Sequence, residues 1–164
     1  LVTKSKPILI EPTKTKKVKV LLEQPIEFEL PKAESSFLEK HGVKHYKLIN
    51  AGNRHLVIAT KKISSFDLDG LSLKLRKRLF FKDVNISLFN KKDKALELRT
   101  NEAGAGETLS CGSASAAAAS FNIKHLGSLK IISAGGELSI RRINDKLEMV
   151  GPAEFICEGV WQRN

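Results

Sequence analysis

The 164 residues carry 28 Lys and Arg against 18 Asp and Glu, a formal charge of +10, with 41% hydrophobic and 28% charged residues. That balance describes an ordinary soluble globular protein with one sizeable core. No apolar run approaches the length of a helical membrane span, and the lysine-studded start lacks a signal-peptide apolar region. The two cysteines, Cys111 and Cys157, make no disulfide framework, which points to a reducing cytoplasm.

In chain order, residues 8–10 form an apolar run, Val18, Val20 and Leu22 recur at every second position, and Ile26, Phe28 and Leu30 alternate with glutamates. These read as three neighbouring antiparallel strands interrupted by Pro12 and Pro25. Residues 32–40 are more polar and read as a linker that can hold a short helix, which sets a domain boundary near residue 32. Residues 43–49 and 56–59 read as strands on either side of the turn-rich junction Asn50-Ala-Gly-Asn-Arg-His55. Asp67 is placed to cap a helix whose Leu68, Leu71, Leu73, Leu75 and Leu79 make an apolar stripe beside a basic face.

Strand signals return at 84–89 and 95–99. They are followed by the stretch on which the chemistry turns, Asn101-Glu-Ala-Gly-Ala-Gly-Glu-Thr-Leu-Ser-Cys-Gly-Ser-Ala-Ser-Ala-Ala-Ala-Ala-Ser-Phe121. A glycine-rich loop leads to Cys111, and the alanine run beyond it has the highest helix propensity in the chain. Strands are then predicted at 129–132, 138–140, 147–150 and 155–160, with turns at Gly135-Gly136 and Asn144-Asp145. The fold class is α+β.

The basic residues fall in two places. Lys4, Lys6, Lys14, Lys16, Lys17 and Lys19 lie on early strands, and Lys74, Arg76, Lys77 and Arg78 lie on the leucine helix. Without an aromatic ladder or a nucleic-acid motif they read as solvated faces, so no nucleic-acid partner is expected. The glycine loop is neither a dinucleotide fingerprint nor a phosphate loop, since Leu109 replaces the third glycine and the lysine is missing. His41, His45, His55 and His125 are scattered and no cysteine pair has ligand spacing, so no metal site is expected.

Cys111 at a helix start is either a small buried residue or a reactive thiol. The unpaired N–H groups and positive dipole end there favour both a thiolate, with a depressed pKa, and a bound carboxylate. For the other polar residues the residues alone leave two readings each. Asn53 serves as a turn residue or a contact, His55 as a strand residue or a site residue, and Glu102 as a strand-end charge or a partner for the thiol. Cys157, alternating with Phe155, reads as core.

The stretch Glu102-Ala-Gly-Ala-Gly-Glu-Thr-Leu-Ser-Cys-Gly-Ser113 resembles the second catalytic motif of the diaminopimelate epimerase family. Gly136-Glu-Leu-Ser-Ile140, Met149-Val-Gly-Pro-Ala-Glu-Phe155 and Glu158-Gly159 resemble that family's C-terminal signature. Asn53-Arg-His55 resembles its Asn-Pro-His motif, and Val84-Asn-Ile86 its next asparagine turn.

The resemblance implies a domain of strands wrapped around a central helix, here the one beginning near Ser113, and a cofactor-independent epimerase acting on diaminopimelate in lysine and peptidoglycan precursor synthesis. One cysteine removes the α-proton and a second reprotonates the opposite face. Carried onto matching positions, the catalytic residues are Cys111, its partner Glu102, and His55 as the orienting neighbour of the other cysteine. The substrate-binding residues are Asn53, Asn85, Glu102 and the backbone of Gly112 and Ser113. The implied partners are a small amino-acid substrate and, as in bacterial members, a second copy in a homodimer; no cofactor and no membrane are expected.

The chain departs from the family in four ways. It has no match to the first catalytic cysteine motif, so it is expected to be a C-terminal portion that is inactive alone. Residues 1–32 are then strands belonging to an N-terminal domain, residues 33–164 form the C-terminal domain, and the last strand, 154–160, returns to the N-terminal one. Ala103 stands where the family has an arginine that reads the substrate's distal carboxylate, Arg54 stands for proline, and Ala114 for glycine. Two other readings stay open: a related racemase with a different substrate, and a non-catalytic domain binding an anionic partner.

Overall fold

A computed structural model describes residues 8–14, 17–123 and 127–160; Lys4, Lys6, Lys16 and His125 lie outside them. The strands are β1 (Leu9–Pro12), β2 (Lys17–Glu23), β3 (Ile26–Phe28), β4 (Tyr46–Asn50), β5 (Arg54–Ala59), β6 (Asn85–Lys92), β7 (Ala95–Glu102), β8 (Gly106–Thr108), β9 (Ser128–Ser133), β10 (Gly136–Ile143) and β11 (Lys146–Pro152). Three helices accompany them: α1 (Lys32–Lys40), α2 (Leu68–Arg76) and α3 (Gly112–Asn122), with a 3-10 turn at Leu79–Phe81. The α+β class and the helix within residues 32–40 are as the sequence predicts.

All the strands join one mixed sheet in the order β1-β2-β11-β10-β9-β7-β6-β5-β4-β3, and β8 pairs with β7. Among the described residues only β5–β6 and β7–β9 are parallel. A parallel pair needs a crossover; α2 lies in the first and α3 in the second. The early strands are not three neighbours. β1 and β2 pair with each other and β2 with β11, whereas β3 pairs with β4 at the far end of the sheet. Pro25, just before β3, has no N–H to continue a ladder, so the chain leaves its hairpin and finds a new partner.

The two faces of the sheet have different cores. On the outer face Leu38 of α1 and Leu68, Leu71 and Leu75 of α2 pack on Leu48, Leu56, Ile58, Ile86 and Leu88. Asp67 caps α2, its Oδ1 accepting from Gly70 N at 2.9 Å. The predicted leucine stripe is narrower than its spacing suggests. Leu73 points outward, 67% exposed, and Leu79 falls in the 3-10 turn at 88% exposed.

On the inner face the alanines of α3, each 1% exposed or less, pack on Ile49, Val57, Phe89, Leu96, Leu98, Ile131, Ile140 and Leu147. The helix touches β4, β5, β6, β7, β9 and β10. Six flat strands would span about 24 Å, roughly twice a helix diameter, so the sheet must curl around α3. This is the central helix within a strand wrap that the resemblance implies.

The polar basic face is only partly free. Arg78 pairs with Glu34 and stacks over Phe37, and Arg76 Nη2 donates to the Asn101 carbonyl at 3.1 Å. Beyond Pro152 the structure differs from expectation. Residues 153–160 form no strand, and Cys157, read as core, is exposed together with Phe155, Ile156 and Val160. The alternation there is real in sequence, but no neighbouring strand pairs with it among the described residues.

Candidate active site

Strand register brings the predicted polar residues together. His55 on β5 is paired with Asn85 on β6, and Asn85 and Glu102 each lie one residue beyond the Ile86–Asn101 pair of β6 and β7. Alternation puts all three on the inner face, because Val57, Phe89 and Leu98 at even spacings from them belong to the inner core. The N-terminus of α3 meets that row. Cys111, extended at φ −138° and ψ 114°, is the residue before the first helical turn and is 9% exposed.

The side chains form a directional chain. Thr108 Oγ1 donates to Glu102 Oε1 at 2.7 Å, and the Cys111 thiol donates to Glu102 Oε2 at 3.4 Å. Ser113 Oγ lies 3.4 Å from Cys111 Sγ and 3.0 Å from His55 Nε2, which is 2.8 Å from Asn53 Oδ1. A carbonyl oxygen only accepts, so His55 carries its proton on Nε2 and the Ser113 hydroxyl is left to donate to sulfur. His55 Nδ1 is buried without a partner.

Two pKa directions follow. Burial pushes His55 down to about 4, with the Glu102 carboxylate opposing, so the imidazole is neutral. Burial also raises the Cys111 thiol; the Ser113 hydroxyl and the Ala114 amide pull it down, and Glu102 adds to the rise. The expected depression of the thiol pKa is therefore overturned. Helix-start donors are present, but burial and a facing carboxylate outweigh them.

The asparagines divide. Asn53 is exposed in the turn between β4 and β5, where Ala51 N bonds the Asn53 carbonyl at 3.0 Å and Gly52 adopts φ +98°. Asn85 is not in a turn. It opens β6, is 5% exposed, and its Oδ1 accepts the Ala103 N–H at 2.9 Å. Arg54 is exposed with its guanidinium 5.9 Å from the Phe80 ring. Gly112 faces Met149, whose methyl carbon is 3.3 Å from where a Cβ would stand.

Sequence reading missed Thr108 and the side chain of Ser113. The signal for Thr108 is a hairpin rather than a loop: Gly104 and Gly106 take φ of +84° and +79°, and β8 folds back on β7 with Thr108 opposite Thr100.

Comparison with known proteins agrees with this architecture. Residues 47–156 match the diaminopimelate epimerase family. Among curated relatives, the diaminopimelate epimerase of Methanocella arvoryzae is 35% identical over 134 residues, covering 76% of this chain and 47% of that protein. The diaminopimelate epimerase of Xanthomonas euvesicatoria is 32% identical over 134 residues, 77% of this chain and 47% of the relative. The chain thus spans about half the length of the curated relatives it matches.

Among solved structures, a phenazine biosynthesis protein of the PhzF family from Bacillus anthracis superposes with a TM-score of 0.63 at 14% identity, covering 92% of this chain and 63% of that one. A hydroxyproline epimerase from Agrobacterium vitis superposes with a TM-score of 0.54 at 10% identity, covering 92% and 57%. At such identities these two speak for the fold alone. With two-thirds of its residues inside the family match, on a helix-centred wrap of strands, this chain belongs to the diaminopimelate epimerase family.

Proposed function

We propose that this chain supplies one of the two opposing acid/base groups of a cofactor-independent amino-acid epimerase acting on diaminopimelate, in lysine and peptidoglycan precursor synthesis. The observation that carries the reading is the Cys111 thiol, at the start of α3 and 3.4 Å from the Glu102 carboxylate. A thiol with a carboxylate in contact has a local acceptor for its proton, and the helix start beside it offers N–H groups to an anion.

In this reading the substrate α-carboxylate docks on the Gly112 and Ser113 backbone. Cys111 as thiolate takes the α-proton onto sulfur, and the electron pair left on carbon spreads into the carboxylate, where those N–H groups meet the growing charge. A second thiol, from the half of the relatives' length that this chain does not span, protonates the opposite face, and Cys111 as thiol performs the reverse step. Glu102 exchanges a proton with Cys111 and receives the substrate ammonium. Neutral His55, with an unpartnered Nδ1, orients the opposing thiol, and Asn53 and the Asn85 amide face the distal end of the substrate. The assembled enzyme is a cytoplasmic homodimer.

A related racemase with a different amino-acid substrate is the second reading. Ala103 favours it, because a methyl group replaces the guanidinium that the family uses on the distal carboxylate, and the Ala103 N–H is already engaged by Asn85.

The test is exchange of the α-proton of diaminopimelate for deuterium by a polypeptide joining this chain to the remaining half of its relatives' length. Exchange that Cys111→Ser abolishes supports the epimerase. No exchange with diaminopimelate, but exchange with another amino acid, moves the assignment to the racemase, and no exchange with any amino acid overturns both.

A further inference from the structure

We propose that Thr108 is a positioning residue that holds the Glu102 carboxylate against the Cys111 thiol, an inference that rests on the pairing of Glu102 with Cys111 above. Glu102 has two oxygens and two donors: Thr108 Oγ1 at 2.7 Å from Oε1 and Cys111 Sγ at 3.4 Å from Oε2. These donors are unequal. An S–H is a weak donor, whereas an O–H on a carboxylate at 2.7 Å is a short charge-assisted bond. Glu102 is only partly buried, and a free carboxylate gains more from water than from a buried thiol. The thiol cannot hold the carboxylate in place, and Thr108 can.

Thr108 is itself held from the opposite face. β8 is three residues long and, among the described residues, pairs only with β7. Its Glu107 points outward, where Arg99 Nε and Nη2 donate to Oε1 and Oε2 at 2.7 and 2.8 Å. Arg99 Nη1 also donates to the carbonyls of Ile63 and Phe66, at 2.6 and 3.1 Å. With Glu107 fastened outward, strand alternation turns Thr108 inward onto Glu102. The ion pair on one side of the ribbon thereby fixes a hydrogen bond on the other.

The consequence is readable in the thiol. Glu102 raises the proton affinity of Cys111 only while it stays in contact, so freeing the carboxylate lets the thiol ionise more easily. The measurement is the pH dependence of iodoacetamide alkylation of Cys111 in this chain, with exposed Cys157 replaced by serine. Glu102→Gln lowers the alkylation midpoint. Thr108→Val lowers it in the same direction, by about half a pH unit, read as roughly threefold faster alkylation below the midpoint. Thr108→Ser, which keeps the hydroxyl, returns it to the parent value.

Thr108→Ala is measured beside Thr108→Val so that a packing fault in one does not decide the outcome. A midpoint unmoved or raised by both, while Glu102→Gln lowers it, overturns the role of Thr108. Failure of Thr108→Ser to restore the parent value does so as well, by assigning the effect to the methyl group. If Glu102→Gln itself leaves the midpoint in place, the Glu102–Cys111 pairing fails first, and the proposal with it.

Discussion

The two helices that cross the sheet do so on opposite faces and by opposite means. α2 is amphipathic: Leu68, Leu71 and Leu75 are buried while Leu73 and Lys74 face outward. It lies on the sheet and contributes side-chain volume. α3 has buried residues around its whole circumference, five of the six being alanine, so the strands approach its backbone closely from several directions. The difference teaches that the outer layer is a cover and the inner helix a mandrel. Cys111 sits where the mandrel begins, at the helix end that meets the row of polar residues on the inner face.

The comparison can be broken at several points. The largest effect is on the chemistry proposed above: Cys111→Ser leaves the fold intact, as circular dichroism checks, but lowers α-proton exchange by the joined polypeptide at least about 100-fold. Next come the cores. Leu75→Ala costs about 2–5 kcal/mol in urea unfolding, whereas Leu73→Ala on the same helix changes stability by no more than about 0.5 kcal/mol. Equal costs would mean that α2 is not amphipathic in packing.

The third test reads the inner face through acid. His55 stays neutral down to about 4 in the folded chain, while an unfolded histidine takes its proton near 6.5, so between those values the unfolded state binds the extra proton. Stability is full above 6.5 and falls as pH drops toward 4, by about 3 kcal/mol. Urea midpoints followed across that window in the parent and in His55→Gln isolate the effect, because the variant loses this part of the slope. The last effect is local. Asp67→Ala removes the cap of α2 and costs about 1 kcal/mol, with no change in Cys111 alkylation.

Much of this was legible beforehand, because local rules govern it. The Asp67 cap, the alanine helix after Cys111 and the turn at Asn144-Asp145 depend on residues close in sequence, and Asn144 takes the positive φ of such a turn. The turn predicted at Gly135-Gly136 sits one residue earlier, at 134–135, with Gly136 opening β10 at φ +126°. The resemblance named Glu102 and Cys111 together, and the start of α3 beside the end of β7 brings them into contact. What was not legible depends on distant partners. Nothing near Pro25 says that β3 crosses to β4, and the alternation around Cys157 looks like a strand whether or not another strand waits beside it. The thiol illustrates the same limit: the helix start is visible in sequence, but the burial that outweighs it belongs to the wrap. Thr108 was hidden because a three-residue strand carries too little pattern to announce its facing.

The pairing of β2 with β11 has a consequence in time. Val20 is in register with Met149, and Leu22 with Leu147. During synthesis the β1–β2 hairpin emerges before β11, and the β2 edge that β11 pairs with stays open until β11 has left the ribosome. Closure of the sheet is therefore a late, non-local event, of the kind that slows folding and leaves strand edges open to wrong partners. Val20 and Leu22, in register with Met149 and Leu147 of β11, stay open to wrong partners while β11 is still being made.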